Sequence, residues 1–389
     1  MLKLLVNGDA YDGWKSAHVT RRIECVAGGY DLEISDKWAG RNQAWPIVEE
    51  DSCTLTINDV PVITGYVDKR RLSFDKSAHS FQVSGRDRTA SLVDCSAVLK
   101  SWEFHSKPLL SLAQDLAKPF NVTVTLDPNV HPSNVGTTSK AGKGGSVKAP
   151  GKDGKLAGTT GLPKPQKKFS IDPGESAWEV LDRACRMAGV LPVSDGQGGI
   201  LLTRAGNGPR AVTPLVEGEN ILSASAEYDS AGRYSKYIVQ TSQQGSDSEY
   251  AALAASVRGT AEDLSVIRGE RVLFVRLDSA ATRESAKLRA QWEAKIRAAR
   301  GDSINVTVQG WQQGDGSLWA INSLVAVQST FLGIDGDLLI TGTDMSLDEG
   351  GTITRLTLMR PDAFTPEPSI GAKSALWKEI AGGVKGSTL

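Results

Sequence analysis

An alternation of apolar and polar residues with a period of two constrains this fold more than any other feature. Within residues 53–57, three apolar side chains alternate with two threonines, as is typical of a half-buried β-strand. The turn-forming residues at 58–61 and the apolar run at 62–67 follow, and together they predict a hairpin. A further strand is predicted at 81–85. Several short strands separated by turns indicate a sandwich or a barrel, and we assign residues 1–100 to a first β-barrel, since closure removes unpaired strand edges.

Helical spacing replaces this alternation after residue 105. Apolar residues recur at helical intervals over 109–120 and again over 178–188. Asn121 and Gly189 follow these runs and favour the left-handed conformation that ends a helix. Each helix is followed by a strand-like apolar segment. The repeated pattern predicts a smaller α+β domain over residues 101–217.

A lysine-rich segment, residues 133–168, interrupts this domain. It contains eight lysines, no arginine, no aromatic residue and one acid, so it carries +7 while the rest of the chain carries −8. Its Gly, Ser, Thr and Pro content predicts a flexible loop, because such a segment cannot bury enough apolar surface to offset the entropy of ordering. Five lysines are candidate contacts for an acidic partner: Lys140, Lys143, Lys148, Lys152 and Lys155.

Residues 218–361 return to the strand pattern and predict a second β-barrel that contains one long helix. Ser279 can cap this helix and Gly301 can end it. Its predicted buried stripe is narrow: Leu288, Trp292 and Ile296. The other faces carry basic residues: Arg283, Lys287, Arg289, Lys295, Arg297 and Arg300. These residues indicate a solvated face supported by pairs such as Glu293 with Arg297, or a basic surface for an acidic partner subunit. Residues 362–389 form a predicted terminal tail.

The sequence contains no recognisable reaction centre. With 40% hydrophobic and 23% charged residues, a disordered chain, a fibrous repeat and a coiled coil are excluded. No apolar run approaches a membrane span or a secretory signal, so a cytoplasmic origin is expected. The four cysteines and four histidines lie in no zinc-type spacing, and the cysteines are expected to be small buried or half-buried residues. No phosphate-binding loop, nucleophile elbow or dinucleotide fingerprint occurs.

A few polar and aromatic groups deserve comparison with known sites. The acidic turns at 314–317 and 333–337 lack the ligand number of an EF-hand loop, and the acidic triplet at 49–51 is expected to be a solvated rim. Trp311 and Trp319 flank the first of these turns. Their spacing favours a cross-strand aromatic pair over a ligand-stacking platform. An interaction or structural role is therefore favoured, with no enzymatic activity and no cofactor.

Several segments, taken in order, resemble a known family. They are residues 19–28, 64–71, 85–95, 218–222, 234–237 and 311–325. Their order and spacing are similar to those of the baseplate hub protein of Mu-like contractile-tailed bacteriophages, which is related to the phage late control protein and to the base of type VI secretion spikes. The resemblance runs through most of the chain, and it departs at 133–168, which we interpret as an insertion.

The resemblance implies a mainly β protein with α+β elements: two β-barrel domains, a smaller α/β domain and the flexible Lys/Gly-rich insertion. Three subunits would close into a homotrimeric ring with pseudo-sixfold symmetry. Such a ring joins the hexameric tail tube to the trimeric spike in the virion's tail baseplate, after assembly in the host cytoplasm. Other baseplate proteins would be neighbours. Viral DNA would pass through the lumen during ejection without specific binding, and an acidic or neutral lining would suit that passage.

Three alternatives remain open from the sequence. The same fold could serve as the hub of a contractile secretion or injection machine. A carbohydrate-binding or carbohydrate-cleaving tail protein could use Trp311 and Trp319 with nearby acids. A peptidoglycan hydrolase fused to a hub ranks last, because little chain remains after residue 362.

Overall fold

The computed structural model describes most of the chain. The described residues are 1–34, 46–74, 76, 79–105, 107–132, 169–241, 258–277 and 283–367. Three sequence predictions lie outside them: the lysine-rich segment 133–168, the Ser279 helix cap, and the tail from residue 368 onward.

Seven strands form the N-terminal β region. They are β1 (Leu2–Val6), β2 (Asp9–Tyr11), β3 (Ser16–Arg22), β4 (Gly29–Ile34), β5 (Ser52–Ile57), β6 (Val60–Phe74) and β7 (His79–Asp87). The predicted hairpin is confirmed as β5–β6. Its two turn residues, Asn58 and Asp59, have φ of 50° and 64°, which is typical of the two-residue turn that matches the twist of paired strands. The strand β6 continues well beyond its predicted end.

The α+β unit follows. Its elements are α1 (Ala90–Asp94), β8 (Glu103–Phe104), α2 (Leu109–Ala117), a 3₁₀ turn (Lys118–Phe120), β9 (Thr123–Leu126), β10 (Phe169–Ser170), α3 (Ala177–Ala188), β11 (Leu191–Ser194) and β12 (Gly199–Thr203). Asn121 and Gly189 have φ of 53° and 70° and end the two helices as predicted. A small sheet in the order β11–β12–β9 packs with α2 and α3 around one apolar core.

The C-terminal β region contains the remaining elements. They are β13 (Leu215–Val216), β14 (Ile221–Tyr228), β15 (Lys236–Thr241), β16 (Arg258–Glu262), β17 (Val272–Leu277), α4 (Arg283–Arg300), β18 (Asp302–Gln309), β19 (Leu324–Ser329), β20 (Ile334–Asp348), β21 (Gly351–Met359) and a 3₁₀ turn (Pro361–Phe364). The strands β15, β16 and β17 form their own sheet with α4 against it. These three strands and α4 lie in the chain between β14 and β18. The C-terminal β region therefore contributes to two separate sheets.

One large sheet joins the N-terminal and C-terminal β regions. Its strand order is β14–β18–β21–β20–β3–β4–β7–β6–β5–β1–β2, and β19 and β13 branch from β20. Each region has its own apolar core. The fold is therefore mainly β, as predicted. In the part of the chain that the structure describes, the strand pairing is an open path, so the expected closed barrels are not established by it.

Candidate assembly surface

The two β regions meet along one pair of strands, β3 and β20. Residues 17–22 lie antiparallel to residues 342–347, with Val19 opposite Met345. At the solvent side of this joint, Arg22 forms an ion pair with Asp344, with 2.9 Å between Nη2 and Oδ2. Two polar side chains also meet there: His18 Nδ1 lies 3.2 Å from Ser346 Oγ. Backbone pairing and side-chain contacts together fix the register of the joint.

The inner side of the β3–β20 joint is apolar. Val19 and Met345 are buried in the core of the N-terminal region, and Leu347 packs against that core. Trp311 is in the same cluster, and its indole N–H donates to the carbonyl oxygen of Ser346 at 3.1 Å. The C-terminal region thus contributes side chains to the N-terminal core, which makes the joint a continuous part of the hydrophobic interior.

A buried polar network connects the N-terminal sheet to the α+β unit. The Asp87 carboxylate accepts hydrogen bonds from the Thr89 backbone N–H and the Ser194 hydroxyl, both at 3.0 Å. Arg21 donates to the carbonyl oxygen of Ser194 at 2.9 Å. Burial raises the pKa of Asp87 and lowers the pKa of Arg21, because it penalises the charged form of each group. These groups satisfy one another, so the network acts as a structural connection.

The basic residues of α4 are largely engaged within the chain. Glu293 accepts from Arg289 at 2.8 Å and from Arg297 at 2.9 Å, which confirms the predicted i,i+4 pair. Lys295 pairs with Asp362 at 2.9 Å, and Arg300 donates to the Ala363 carbonyl. The face therefore presents less free positive charge than the sequence indicates.

The predicted apolar stripe of α4 is confirmed only in part, because Ile296 is buried whereas Leu288 and Trp292 are half-buried. The fully buried face consists of four small or branched residues and one acid: Ala286, Ala290, Glu293, Ile296 and Ala299. Trp292 is only half-buried and its indole N–H donates to the Thr365 carbonyl at 2.9 Å. Small alanines let the helix lie close to the sheet. Gly259 illustrates this proximity, since a Cβ there would collide with the helix backbone at Ala286.

The two candidate tryptophans occupy separate cores. The Trp319 backbone N–H donates to the Trp311 carbonyl at 3.4 Å, so the residues do flank one hairpin-like turn. Trp311, however, packs in the N-terminal core and Trp319 in the C-terminal core. The expected cross-strand aromatic pair is therefore corrected: the two side chains pack in different cores. Both rings are buried, and neither offers a face on which a sugar could stack.

The acidic candidates are confirmed as a turn at 314–317 and corrected at 333–337. Asp315 accepts from the Ser317 hydroxyl at 2.6 Å and from the Ser317 backbone N–H at 2.9 Å, and these two hydrogen bonds lower the pKa of Asp315. Asp335 and Asp337 lie in the strand β20, paired with β19, and Asp337 also pairs with Arg210, with 2.6 Å between Oδ2 and Nη1. In the triplet 49–51, Asp51 accepts from the Val48 backbone N–H at 2.8 Å, which closes a turn before β5.

The cysteines and histidines bring no metal site together. No group of three or more His, Cys, Asp or Glu side chains that could hold a metal ion occurs among the residues that the structure describes. Cys53 and Cys185 are buried as expected, and burial raises the pKa of Cys53 to about 11. Cys25 and Cys95 are exposed, which corrects the expectation that all four lie inside. Among the described helices, none is long and apolar enough to cross a membrane.

The five candidate lysines, Lys140, Lys143, Lys148, Lys152 and Lys155, lie outside the described residues. The functional feature that sequence reasoning missed is the β3–β20 joint. Its partners are more than 300 positions apart, and no local pattern marks two such strands as neighbours.

Family models match three parts of the chain. Residues 1–87 match "Mu phage baseplate assembly protein GpP-like, N-terminal", and residues 282–367 match "Mu phage baseplate assembly protein GpP, fourth domain". Residues 89–144 and 157–204 match "Baseplate hub protein gp44-like, second domain". The last match includes both ends of the lysine-rich segment. Residues 145–156, inside that segment, lie outside the match.

Relatives cover nearly the whole chain. The baseplate hub protein gp44 of Escherichia phage Mu is 30% identical over 98% of this chain and 93% of its own length. A 43 kDa tail protein of prophage MuSo2 from Shewanella oneidensis, solved by crystallography, is 29% identical with a TM-score of 0.75, covering 94% of this chain and 99% of its own.

A type VI secretion component of E. coli shares the fold alone. It is 9% identical with a TM-score of 0.53, covering 95% of this chain and 80% of its own. The near full-length match to the Mu hub decides the assignment. The chain belongs to the family of Mu-like phage baseplate hub proteins, and it is a structural protein of the virion's tail baseplate, with no enzymatic role.

Proposed function

We propose that three copies of this chain form a ring at the centre of a contractile tail baseplate, with the hexameric tail tube on one side and the trimeric spike on the other. The observation that carries this proposal is an internal repeat in the large sheet. In the N-terminal region the order β3–β4–β7–β6–β5 matches the C-terminal order β14–β18–β21–β20–β19. Each chain thus supplies two similar units, and three chains supply six.

The repeat extends to the details of the central strands. Both β6 and β20 are 15 residues long, and each follows a short partner strand and precedes a longer one. Each also contains one β-bulge against the strand that follows it. Bulges set local twist and curvature, so equal bulges support equal shapes. Each unit, completed by its neighbours, would act as one barrel-like segment of a pseudo-sixfold ring assembled in the host cytoplasm.

Such a ring resolves a symmetry mismatch. Six similar units present a near-sixfold face to the tube, while the differences between the N-terminal and C-terminal units keep a threefold face for the spike. Its work is mechanical: it holds tube and spike together, and then leaves a passage for the viral DNA. The chain outside 133–168 carries −8, and excess negative charge discourages phosphate binding along that passage.

The lysine-rich segment is proposed to contact an acidic neighbour in the baseplate through Lys140, Lys143, Lys148, Lys152 and Lys155. Its +7 charge against an acidic body supports this contact. Deleting residues 140–156, which contain all five lysines, should leave the oligomeric state of the hub unchanged and reduce assembly with the other tail proteins. Unchanged assembly and infectivity would remove this proposal.

The mass of the purified protein in solution tests the ring. Light scattering across a dilution series should give a species near three times 41.4 kDa, and particle images should show a central hole. If the protein is monomeric at every concentration and stays so after addition of the spike protein, the ring proposal fails.

The hub of a contractile secretion or injection machine is the second candidate function. The fold likeness to a type VI secretion component favours it. Neighbouring genes for a capsid and terminase, or for secretion components, separate the two. The carbohydrate-binding alternative is not supported, because the two side chains it would use, Trp311 and Trp319, are buried.

A further inference from the structure

Two strand edges in the large sheet form strand pairs on one side only, among the residues that the structure describes. The far half of β6 is residues 69–74. The strand β5 pairs with β6 only as far as Tyr66, and the strand pairs described for residues 69–73 are with β7 alone. At the other end of the sheet, β14 is bonded on one side only, by β18. Unpaired backbone groups on an edge are a template for another strand.

The far half of β6 exposes large apolar side chains, which are unusual on a strand edge that faces solvent. Leu72 is 64% exposed and Phe74 is 83% exposed. In the internal repeat, these residues correspond to Met345 and Leu347 of β20, which β3 helps to cover, and Met345 is only 3% exposed. Met345 is thus buried and Leu347 half-buried in one unit, whereas the equivalent Leu72 and Phe74 are exposed in the other.

The correspondence follows from the bulges. The bulge leaves Asp68 unpaired in β6 and Thr341 unpaired in β20, so residues 69–74 align with residues 342–347. Partners can then be traced across each unit. In the N-terminal unit, Val67 lies opposite Gly85, Gly85 opposite Tyr30, and Tyr30 opposite Val19. In the C-terminal unit, Ile340 lies opposite Leu358, Leu358 opposite Ile304, and Ile304 opposite Ala226. The strand β14 is therefore the equivalent of β3, and Ala226 is the equivalent of Val19.

Within one chain, β20 of the C-terminal unit pairs with β3 of the N-terminal unit. The equivalent contact would pair β6 with β14. These strands lie near opposite ends of the sheet path in one chain, so the partner is a second copy. We propose that residues 69–74 of one copy pair antiparallel with residues 224–229 of the next, a contact that rests on the ring proposed above.

The register transferred from the β3–β20 joint gives a chemically matched interface. Arg71 lies opposite Glu227, and Lys69 lies opposite Asp229. Oppositely charged pairs across strands are stabilising, and all four of these residues are exposed in the single chain.

The apolar and small residues match in the same way. Leu72 and Phe74 lie opposite Ala226 and Ala224, so small side chains leave room for large ones. Ser73 lies opposite Ser225, in the place that Ser346 and His18 occupy within the chain.

Paired cysteines test this register directly. The variant Ser73→Cys with Ser225→Cys is prepared in a background with Cys25→Ser and Cys95→Ser, which removes the exposed thiols. Directly opposed residues on antiparallel strands have Cα atoms about 4.5–5.5 Å apart, a span that a disulfide bridges. Mild oxidation should give covalent dimers and closed trimers on a non-reducing gel.

Three controls calibrate the result. The variant His18→Cys with Ser346→Cys should form its bond within one chain, which shows that this geometry supports a disulfide. Ser73→Cys alone should give no covalent trimer. Ser73→Cys with Ser223→Cys moves one thiol two residues out of register, and its yield of covalent trimer should fall at least tenfold.

The outcomes separate the two proposals. Covalent trimers from the in-register pair alone support the contact. A protein that is trimeric by light scattering, and yet forms no covalent trimer with this pair, would overturn the β6–β14 contact and leave the ring proposal standing. Equal cross-linking of both pairs would overturn the register. A protein that stays monomeric with the spike protein present would overturn the ring and, with it, this contact.

Discussion

Glu293 is a carboxylate held inside the packed face of α4. Its side chain is 8% exposed, and it accepts from Arg289, whose side chain is 11% exposed, and from the half-exposed Arg297. Arg289 also lies 4.6 Å from the centre of the Trp292 ring and pairs with Glu367. A buried charge of this kind depends on its partners, because removing one of them leaves the other without compensation.

Replacing Glu293 with alanine should therefore be costly. We expect Glu293→Ala to lower the free energy of unfolding by about 3 kcal/mol, since it leaves Arg289 buried with one acidic partner fewer. Urea unfolding followed by circular dichroism measures the change. The matched control is Lys295→Ala on the same helix, whose ion pair with Asp362 is about one-third exposed and should contribute less than about 1 kcal/mol. Equal unfolding midpoints for both variants would contradict this account of Glu293.

At the scale of elements, the N-terminus of α3 is capped by residues that are close to it in sequence. The Ser176 hydroxyl accepts from the Glu179 backbone N–H at 3.2 Å, and the Glu179 carboxylate accepts from the Ser176 backbone N–H at 2.7 Å. This reciprocal arrangement satisfies two backbone donors that the helix cannot. Glu175 adds an ion pair to Arg183 at 2.7 Å, which fixes the preceding turn to the helix.

The Ser176 cap gives a second prediction. Ser176→Ala should lower the free energy of unfolding by about 1 kcal/mol, because the Glu179 N–H loses its acceptor. Ser176→Asp keeps an acceptor and should stay within a few tenths of a kcal/mol of the parent protein. Thermal and urea unfolding of the three proteins provide the comparison. A loss of equal size in Ser176→Asp would mean that the hydroxyl acts through packing and not through the cap.

Local chemistry explains which elements could be predicted. The β5–β6 turn and the ends of α2 and α3 each depend on residues close in sequence, and their predictions are confirmed. The strand β14 could not be predicted. Its sequence is rich in Ser and Ala, and most of its side chains are exposed, so only its pairing with β18 makes it a strand.

The same limit applies to α4 and to the β3–β20 joint. Burial of Glu293 depends on arginines that an amphipathic pattern assigns to solvent. His18 and Ser346 are 328 positions apart, and the sequence carries no local signal that they touch. The resemblance to a hub family correctly implied a mainly β fold with α+β elements, whereas the residues that join the two β regions could be identified only from the sheet topology.

At the scale of the whole molecule, the proposed contact between copies pairs opposite charges. The transferred register would place Arg71 of one copy opposite Glu227 of the next, and the proposed ring of three copies would contain this contact three times. Within the part of the chain that the structure describes, the Arg71 side chain is exposed and donates to Gln82 Oε1 at 3.3 Å, so reversing its charge should disturb the monomer little.

Charge reversal and exchange should therefore control assembly without changing the fold. Arg71→Glu replaces an attractive cross-strand pair by a repulsive one, a change of about 1 kcal/mol at each contact, and three contacts lower the trimer association constant by about a hundredfold. Glu227→Arg should have the same effect, and the double variant should restore the parent constant. Arg258→Glu, an exposed reversal outside both edges, is the matched control. Sedimentation at low and high salt measures all four, and the effect should shrink at high salt because ions screen exposed charges. If each single reversal lowers the association constant and the double variant does not restore it, then Arg71 and Glu227 do not face each other across the proposed contact.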